Sequence, residues 1–192
     1  MRRHGAGRKG KLWRLPGARR VRQFARAMTE HMTEKDWRHV QALLPADALP
    51  LFRAMHPADQ CHVLHVERTA EEMAAREHLP REERALLARC ALLHDVGRVR
   101  GDLDVMGKVF AVLVMHGLPA VGRRMMCRDA HVPWQKLGHA LYVYRHHPAI
   151  GAAKLRAAGL AEEAAIIAQH HEPPSLLDPP VLRILKAADE QN

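Results

Sequence analysis

The sequence predicts an all-α fold, and three observations favour this class. Alanine, leucine, arginine and glutamate are abundant, whereas the chain has only two tyrosines, three phenylalanines and three tryptophans. Strands usually draw on aromatic and β-branched residues, while the abundant residue types favour helices. Glycines and proline pairs also fall between apolar segments of helical period, where they can end one helix and begin the next. We expect a single helical domain, because 192 residues with 47% apolar composition suffice for one core.

The apolar periodicity predicts a series of helices along the chain. Three short pieces come first, at 24–32, at 36–44 after a cap at Thr33, and at 48–55, and prolines separate them. Longer helices are then expected at 59–78, 81–95, 103–116, 119–127, 134–145, 148–158, 161–171 and 179–189. This pattern divides the chain into a flexible basic arm at 1–20, an N-terminal helical extension at 21–58 that packs on the core, and a main domain at 59–192.

The basic charge is concentrated at the N-terminus. Residues 1–22 hold nine basic residues and no acidic one, and the rest of the chain carries 21 basic and 21 acidic residues. Residues 1–22 could therefore make a weak, salt-sensitive contact with nucleic acid or an anionic membrane, whereas the remainder gives no such signal. No apolar run approaches the ~20 residues of a membrane span, so we expect no transmembrane segment and a cytoplasmic location.

Histidines and aspartates fall on the apolar stripes of several predicted helices, where a polar side chain is costly unless it has a partner. His94 and Asp95 end an apolar helix in the segment ALLHDVGR, and His62 shares a stripe with Val66 and Ala70. An inward His-Asp pair alone is weak evidence, because a hydrogen-bonded core histidine is commoner than a metal ligand. The interpretation of His94 and Asp95 therefore depends on whether other helices also place His or Asp side chains inside the protein.

Three further segments each supply histidine or aspartate. His170 and His171 leave an apolar helix together, and Asp189 follows Leu185 on the buried face of the last helix. His147 opens a segment ahead of a proline, and on local grounds an exposed capping histidine is an equally good interpretation. Helical folds build di-metal sites in this way, from inward residues on several facing helices.

The resulting set has five imidazoles, two carboxylates and no thiolate. Its members are His62, His94, Asp95, His147, His170, His171 and Asp189. These donors suit Fe, Mn, Co or Zn, and they are enough for two metals with open positions for water and substrate. The sequence therefore predicts two divalent transition metals, with Fe or Mn favoured and Co, Ni or Zn as further candidates.

The order of these segments resembles the HD superfamily of metal-dependent phosphohydrolases over residues 59–190. ALLHDVGR is similar to the HDIG-type motif of that family, HHPAIG to its HPxxG segment, QHHE to its paired histidines and AAD to its closing aspartate. The resemblance implies an HD-type helical bundle with a metal-binding catalytic domain at 59–192. It extends to the HD domains of cyclic-dinucleotide phosphodiesterases, but no GYP motif follows the paired histidines, which argues against cyclic di-GMP as the substrate.

The resemblance also implies a role for each residue. The first metal would be held by His62, His94, Asp95 and Asp189, and the second by Asp95, His147, His170 and His171. A hydroxide bridging the two metals would attack the phosphorus of a nucleotide-like phosphate ester, in a phosphodiesterase or phosphomonoesterase reaction. Where the family usually closes its HDIGK motif with lysine, this chain has Arg98. Arg98 can hold a phosphate bidentately but cannot donate a proton as lysine can, and the alternative is a surface charge.

Two other functions are weighed against hydrolysis. Some HD proteins use a similar His and Asp cluster to activate oxygen, so a mixed-valent di-iron oxygenase is one alternative. The other is a non-catalytic signalling or adaptor module that keeps the fold and anchors through residues 1–22. The complete seven-residue ligand set favours the metal-dependent phosphohydrolase, with Asp95 and Arg98 as its catalytic residues. The sequence leaves the oligomeric state and the particular small-molecule substrate open.

Overall fold

A computed structural model describes residues 31–102, 105–130, 132 and 135–192 of the chain. Nine α-helices and no strand occur within these ranges, so the predicted all-α class is confirmed. The basic arm predicted at 1–20, the first part of the predicted extension at 21–30, and the anionic contact predicted for 1–22 lie outside the described residues. In the described ranges, no helix combines the length and apolar character that a membrane crossing requires.

The helices follow one another closely along the chain. In order, they are α1 (Glu34–Leu43), α2 (Leu49–Ala54), α3 (Pro57–Arg76), α4 (Arg81–Leu93), α5 (Val105–Gly117), α6 (Pro119–Met125), α7 (Gln135–Ala157), α8 (Ala161–Ile167) and α9 (Pro180–Gln191), with a 3-10 turn at Ala46–Ala48. The cap predicted at Thr33 is confirmed, since its hydroxyl accepts from the N–H of Asp36 and the Asp36 carboxylate accepts from the N–H of Thr33.

The main core forms around α3, which packs against α4 and α9. Val63, Val66 and Ala70 of α3 are fully buried, because residues at this spacing share one face of a helix. α8 packs on α4, and α2 contributes the buried ring of Phe52 to the same core. This core holds together three of the helices that carry predicted site residues.

A smaller apolar cluster lies where α5 and α6 pack against the first half of α7. Its buried members are Ala111, Ala140, Leu141 and Val143. The second half of α7 instead contributes Ala152 and Leu155 to the main core. α7 therefore connects the two clusters, and the fully buried His147 lies between its two halves.

One helix replaces the two that were predicted at 134–145 and 148–158. α7 runs without a break and contains Pro148 in its interior. A proline has no N–H, so the carbonyl four residues earlier loses its helical donor. That carbonyl belongs to Tyr144, and Nδ1 of His147 donates to it at 2.9 Å. The prediction of two helices is wrong because the imidazole supplies the hydrogen bond that the proline cannot.

Candidate metal centre

His94 and Asp95 lie in a tight turn at the end of α4. The N–H of Val96 donates to the carbonyl of Leu93, and the N–H of Arg98 donates to the carbonyl of Asp95. The turn keeps the His94 and Asp95 side chains inside the protein, where each is 1% exposed. The apolar residues that end α4 therefore place the His-Asp pair at the buried end of the helix.

Gly97 allows this turn to lie directly against α7. A Cβ atom at Gly97 would lie 2.0 Å from the carbonyl oxygen of His147, and one at Gly151 would lie 3.1 Å from the Gly97 nitrogen. Lys154 of α7 also donates to the carbonyl of Val96 at 3.1 Å. These contacts fix the turn against α7 and bring Asp95 beside His147, with Oδ1 and Nε2 3.4 Å apart.

The first ligand set, as we call it, comprises His62 of α3, His94 and Asp189 of α9. Nε2 of His62 lies 3.1 Å from Oδ1 of Asp189, and Nε2 of His94 lies 3.7 Å from the same oxygen. Burial alone would lower the pKa of His62, but its hydrogen bond to Asp189 raises it. Burial alone would raise the pKa of Asp189, but the same bond holds it below its usual value. The hydrogen bond between His62 and Asp189 therefore favours the charged form of both side chains.

The second ligand set comprises His147, His170 and His171. The last two follow the end of α8 in a turn, so the predicted extension of that helix to residue 171 is too long. The ring centroid of His171 lies 4.5 Å from that of His147 and 4.3 Å from that of His170. Desolvation lowers the pKa of all three, that of His170 to about 3, although the side chain of His171 remains exposed at the edge of the set. The three imidazoles are therefore neutral, which is the form that coordinates a metal.

Asp95 lies between the two sets. Its Oδ2 is 3.7 Å from Nε2 of His94, and its Oδ1 is the atom that faces His147. Burial would raise the pKa of Asp95, but the charge of Arg98 and the neighbouring histidines hold it well below its usual range. Three groups of residues offer ligand atoms within 4.8 Å of one another, and together they contain all seven predicted ligands. The structure therefore brings the whole predicted set together around an ionised carboxylate.

Three buried histidines are oriented in the same way. Nδ1 of His94, His147 and His170 donates to the backbone carbonyl three residues earlier, at distances between 2.7 and 2.9 Å. Each bond fixes the tautomer in which Nε2 carries the lone pair, as histidine ligands require. Nε2 of His94 and of His170, together with Oδ1 of Asp95, are buried without a hydrogen-bond partner. Such atoms are costly unless something satisfies them, so this donor set fits divalent metals.

Arg98 enters the same cluster. Its Nη1 donates to Oδ2 of Asp95 at 2.7 Å and its Nη2 donates to Nε2 of His147 at 3.1 Å. Burial would lower the pKa of Arg98, but the charges of Asp95 and Asp59 raise it, so the guanidinium stays charged. The alternative interpretation of Arg98 as a surface charge is wrong, because its side chain is 16% exposed and pairs with a buried carboxylate.

Asp59 and Lys154 belong to the surroundings of the site, although neither was among the site residues predicted from the sequence. Asp59 is 4% exposed and precedes His62 on α3 by three residues. That spacing places an acidic residue on the same helix face as a predicted ligand, and this was the available signal. Lys154 had no comparable signal, because its acceptor is a backbone carbonyl on another segment.

The fold and the site together define a class, the helical proteins whose His and Asp side chains gather from several helices into a centre for divalent metals. A family model of the HD domain matches residues 60–190. The chain therefore belongs to the HD domain family, which confirms the resemblance to the superfamily of metal-dependent phosphohydrolases. Comparison with curated proteins gives no match, and comparison with solved structures gives none either.

Proposed function

We propose that this protein hydrolyses a phosphodiester or phosphomonoester of a nucleotide-like substrate at a centre of two divalent metals. One observation carries the proposal: the buried Nε2 atoms of His94 and His170 and Oδ1 of Asp95 lack hydrogen-bond partners within the described structure and belong to one compact group. A protein that buries such acceptors gains stability when cations satisfy them. Membership of the HD domain family supports phosphate esters as the substrate class.

The two ligand sets would divide the metals between them. The first set with Asp95 would hold one metal, and the second set with Asp95 would hold the other. Metals bound there would lower the pKa of water and neutralise the oxygens of the phosphate. The imidazole and carboxylate donors favour Fe or Mn and would also accept Co, Ni or Zn.

The protein's own residues would orient the metal ligands and neutralise the charge of the phosphate. The Nδ1 hydrogen bonds to backbone carbonyls keep the imidazoles from turning, and the low pKa of Asp95 keeps a full charge between the sets. Arg98 would bind a phosphate oxygen through its planar fork. Because its pKa is raised, it would not transfer a proton, and solvent would protonate the leaving oxygen. No observation on the described residues favours the oxygenase or the adaptor alternative.

The test compares the wild type with Asp95→Ala after anaerobic purification. We expect elemental mass spectrometry to find transition metal in the wild type and little in the variant, and bis(p-nitrophenyl) phosphate hydrolysis to fall by at least about a thousandfold, as for loss of a central catalytic group. Asp129→Ala, which removes an exposed carboxylate, serves as the control and should keep both properties. A wild type that is free of metal and also fails to take up added Mn would refute the proposal.

A further inference from the structure

The guanidinium of Arg98 lies across two predicted ligands of the second metal. It donates from Nη1 to Oδ2 of Asp95 and from Nη2 to Nε2 of His147. Nδ1 of His147 is already committed to the Tyr144 carbonyl, so this imidazole has a single lone pair left, at Nε2. That lone pair can accept a hydrogen bond from Arg98 or coordinate a metal, but it cannot do both.

The obstacle in the first ligand set is of a different kind. Nε2 of His94 is buried without a hydrogen-bond partner. Nε2 of His62 pairs with Asp189, but both of these residues are ligands, so a metal that displaces the shared proton can bind them both. Arg98 bonds to Oδ2 of Asp95, the oxygen nearer His94, but among the described residues the only ligand nitrogen to which it donates is Nε2 of His147, in the second set. The two halves of the centre are therefore unequal in their access to a metal.

We propose that Arg98 closes the second metal position, so that the protein holds one metal tightly and admits a second only when the guanidinium moves away from His147. This inference rests on the proposed function and adds an order of metal loading to it. Arginine matters here because its planar fork spans two acceptors, whereas the single ammonium of lysine cannot reach both in the same way. The Asp95 carboxylate is shared, first by Arg98 and then by the second metal.

Equilibrium dialysis against Mn at matched free concentrations tests the order of loading. We expect the wild type to retain about one equivalent and Arg98→Gln about two, since removing a charged hydrogen bond should tighten the second site by roughly ten- to a hundredfold. Arg98→Lys should fall between them. Arg100→Gln is the matched control, because Arg100 lies two residues further on and its side chain is exposed. It should bind as the wild type does.

The outcomes separate this inference from the proposed function. Two tight equivalents in the wild type, or a single equivalent in every variant, would overturn the role of Arg98 and leave a metal-dependent hydrolase standing. If neither the wild type nor Arg98→Gln binds Mn, the proposed function fails and the inference falls with it. Circular dichroism checks that Arg98→Gln folds, and Arg98→Lys supplies a second, milder variant.

Independently of the metal centre, the surface of α5 and α6 exposes several large apolar side chains. Leu113, Leu118, Val121 and Met125 are between 43% and 66% exposed. A single exposed leucine is ordinary, but four large apolar side chains within 13 positions of two adjoining helices are the kind of patch that marks a contact. We call these four residues the α5–α6 patch.

The charges near the α5–α6 patch indicate what it contacts. Residues 105–145 hold six basic residues and one acidic residue, Asp129. Arg123 and Arg124 lie within α6 and are exposed. Exposed apolar side chains that adjoin exposed arginines on one helix are typical of surfaces that lie at the interface of an anionic membrane. We propose that the α5–α6 patch docks on an anionic lipid surface.

Co-sedimentation with phosphatidylcholine vesicles, with and without phosphatidylglycerol, tests this docking. We expect salt-sensitive binding to the anionic vesicles and a loss of at least about tenfold for Leu113→Ser with Leu118→Ser, because two leucines no longer enter the lipid. Leu176→Ser with Leu177→Ser is the matched control, since both leucines are more exposed but follow Glu172 and precede Asp178. Unchanged vesicle binding by Leu113→Ser with Leu118→Ser would overturn the proposal. So would a wild type that binds no vesicles but self-associates through the α5–α6 patch, with that self-association lost in the variant.

Discussion

The two ligand sets differ in how they balance the charge of a cation. The first contains its own carboxylate, Asp189, which lies 3.1 Å from His62. The second contains only imidazoles, and the carboxylate that it needs, Asp95, already pairs with Arg98. A divalent ion gains most where carboxylates are available to it. The comparison teaches that two sets of similar geometry need not have similar affinity, because the charges around them are not the same.

The two sets also depend on different parts of the fold. The first set rests on α3, α4 and α9, which pack on one another in the main core. The second set needs α7, which is shared with the smaller apolar cluster. Its position beside Asp95 depends on the contact between Gly97 and the backbone of His147. The first set is therefore built into the core, whereas the second is positioned by the packing of α7 on α8 and on the turn at Gly97.

The largest effect is expected from removing one histidine of each set. His62→Ala should lose the tightly held metal, with affinity falling by more than the roughly 10- to 100-fold that loss of a supporting hydrogen bond costs. His171→Ala should keep that metal, because His171 belongs to the other set. Elemental analysis after dialysis measures both. His146→Ala provides the control, since the His146 ring centroid lies 4.6 Å from that of Tyr142 and His146 belongs to neither ligand set.

Equal loss of metal in both histidine variants would contradict the comparison, because it would show one indivisible site. If His62→Ala kept its metal, the tight site would lie in the second set, and the first set would not be the stronger of the two.

A smaller effect is expected from Gly97→Ala. Its Cβ would meet the carbonyl oxygen of His147 at 2.0 Å, so the turn and α7 must separate, at a cost of about 3 kcal/mol. Urea denaturation should show this loss, and the second set should move further from Asp95 than the first. In Gly117→Ala nothing lies within 4 Å of the new methyl group, so its stability should stay near that of the wild type. A Gly97→Ala protein of unchanged stability would show that the contact is not what positions α7.

The sequence predicted the helices and the inward residues well because both depend on local patterns. Apolar period and the cost of burying a charge select His94, Asp95 and Asp189 without any knowledge of tertiary structure. The break predicted at Pro148 shows the limit of such a local rule. The ring of His147 donates a hydrogen bond to the carbonyl of Tyr144, three residues earlier, and this bond keeps the helix intact. Helix propensities of single residues do not include such a side-chain bond.

The arrangement of the two sets could not be predicted in the same way. Their spacing follows from the crossing of α7 over the turn at Gly97, and a crossing depends on tertiary packing. The contacts of Arg98 depend on the same crossing. Its guanidinium bonds both to Asp95 and to His147, which is 49 positions from Arg98 along the chain. The motifs indicate which residues take part, but the inequality of the two halves emerges only when the helices are packed.

The smallest effect is expected from a substitution outside both ligand sets, which should lower stability and leave metal binding unchanged. Asp36 caps α1 and binds Arg68 of α3, so Asp36→Ala should cost about 1 kcal/mol while both sets keep their relative affinities. Hydrogen bonds from Thr33 and then Arg68 lower the pKa of Asp36 to about 2, below its unfolded value. Its contribution is therefore complete above about pH 4 and is lost as the pH falls through 2. Urea denaturation should show the wild-type and Asp36→Ala stabilities converging over that range, whereas Asp47→Ala, at an exposed position, should match the wild type throughout. A gap that persists in full below pH 2 would show that the carboxylate charge is not what holds α1.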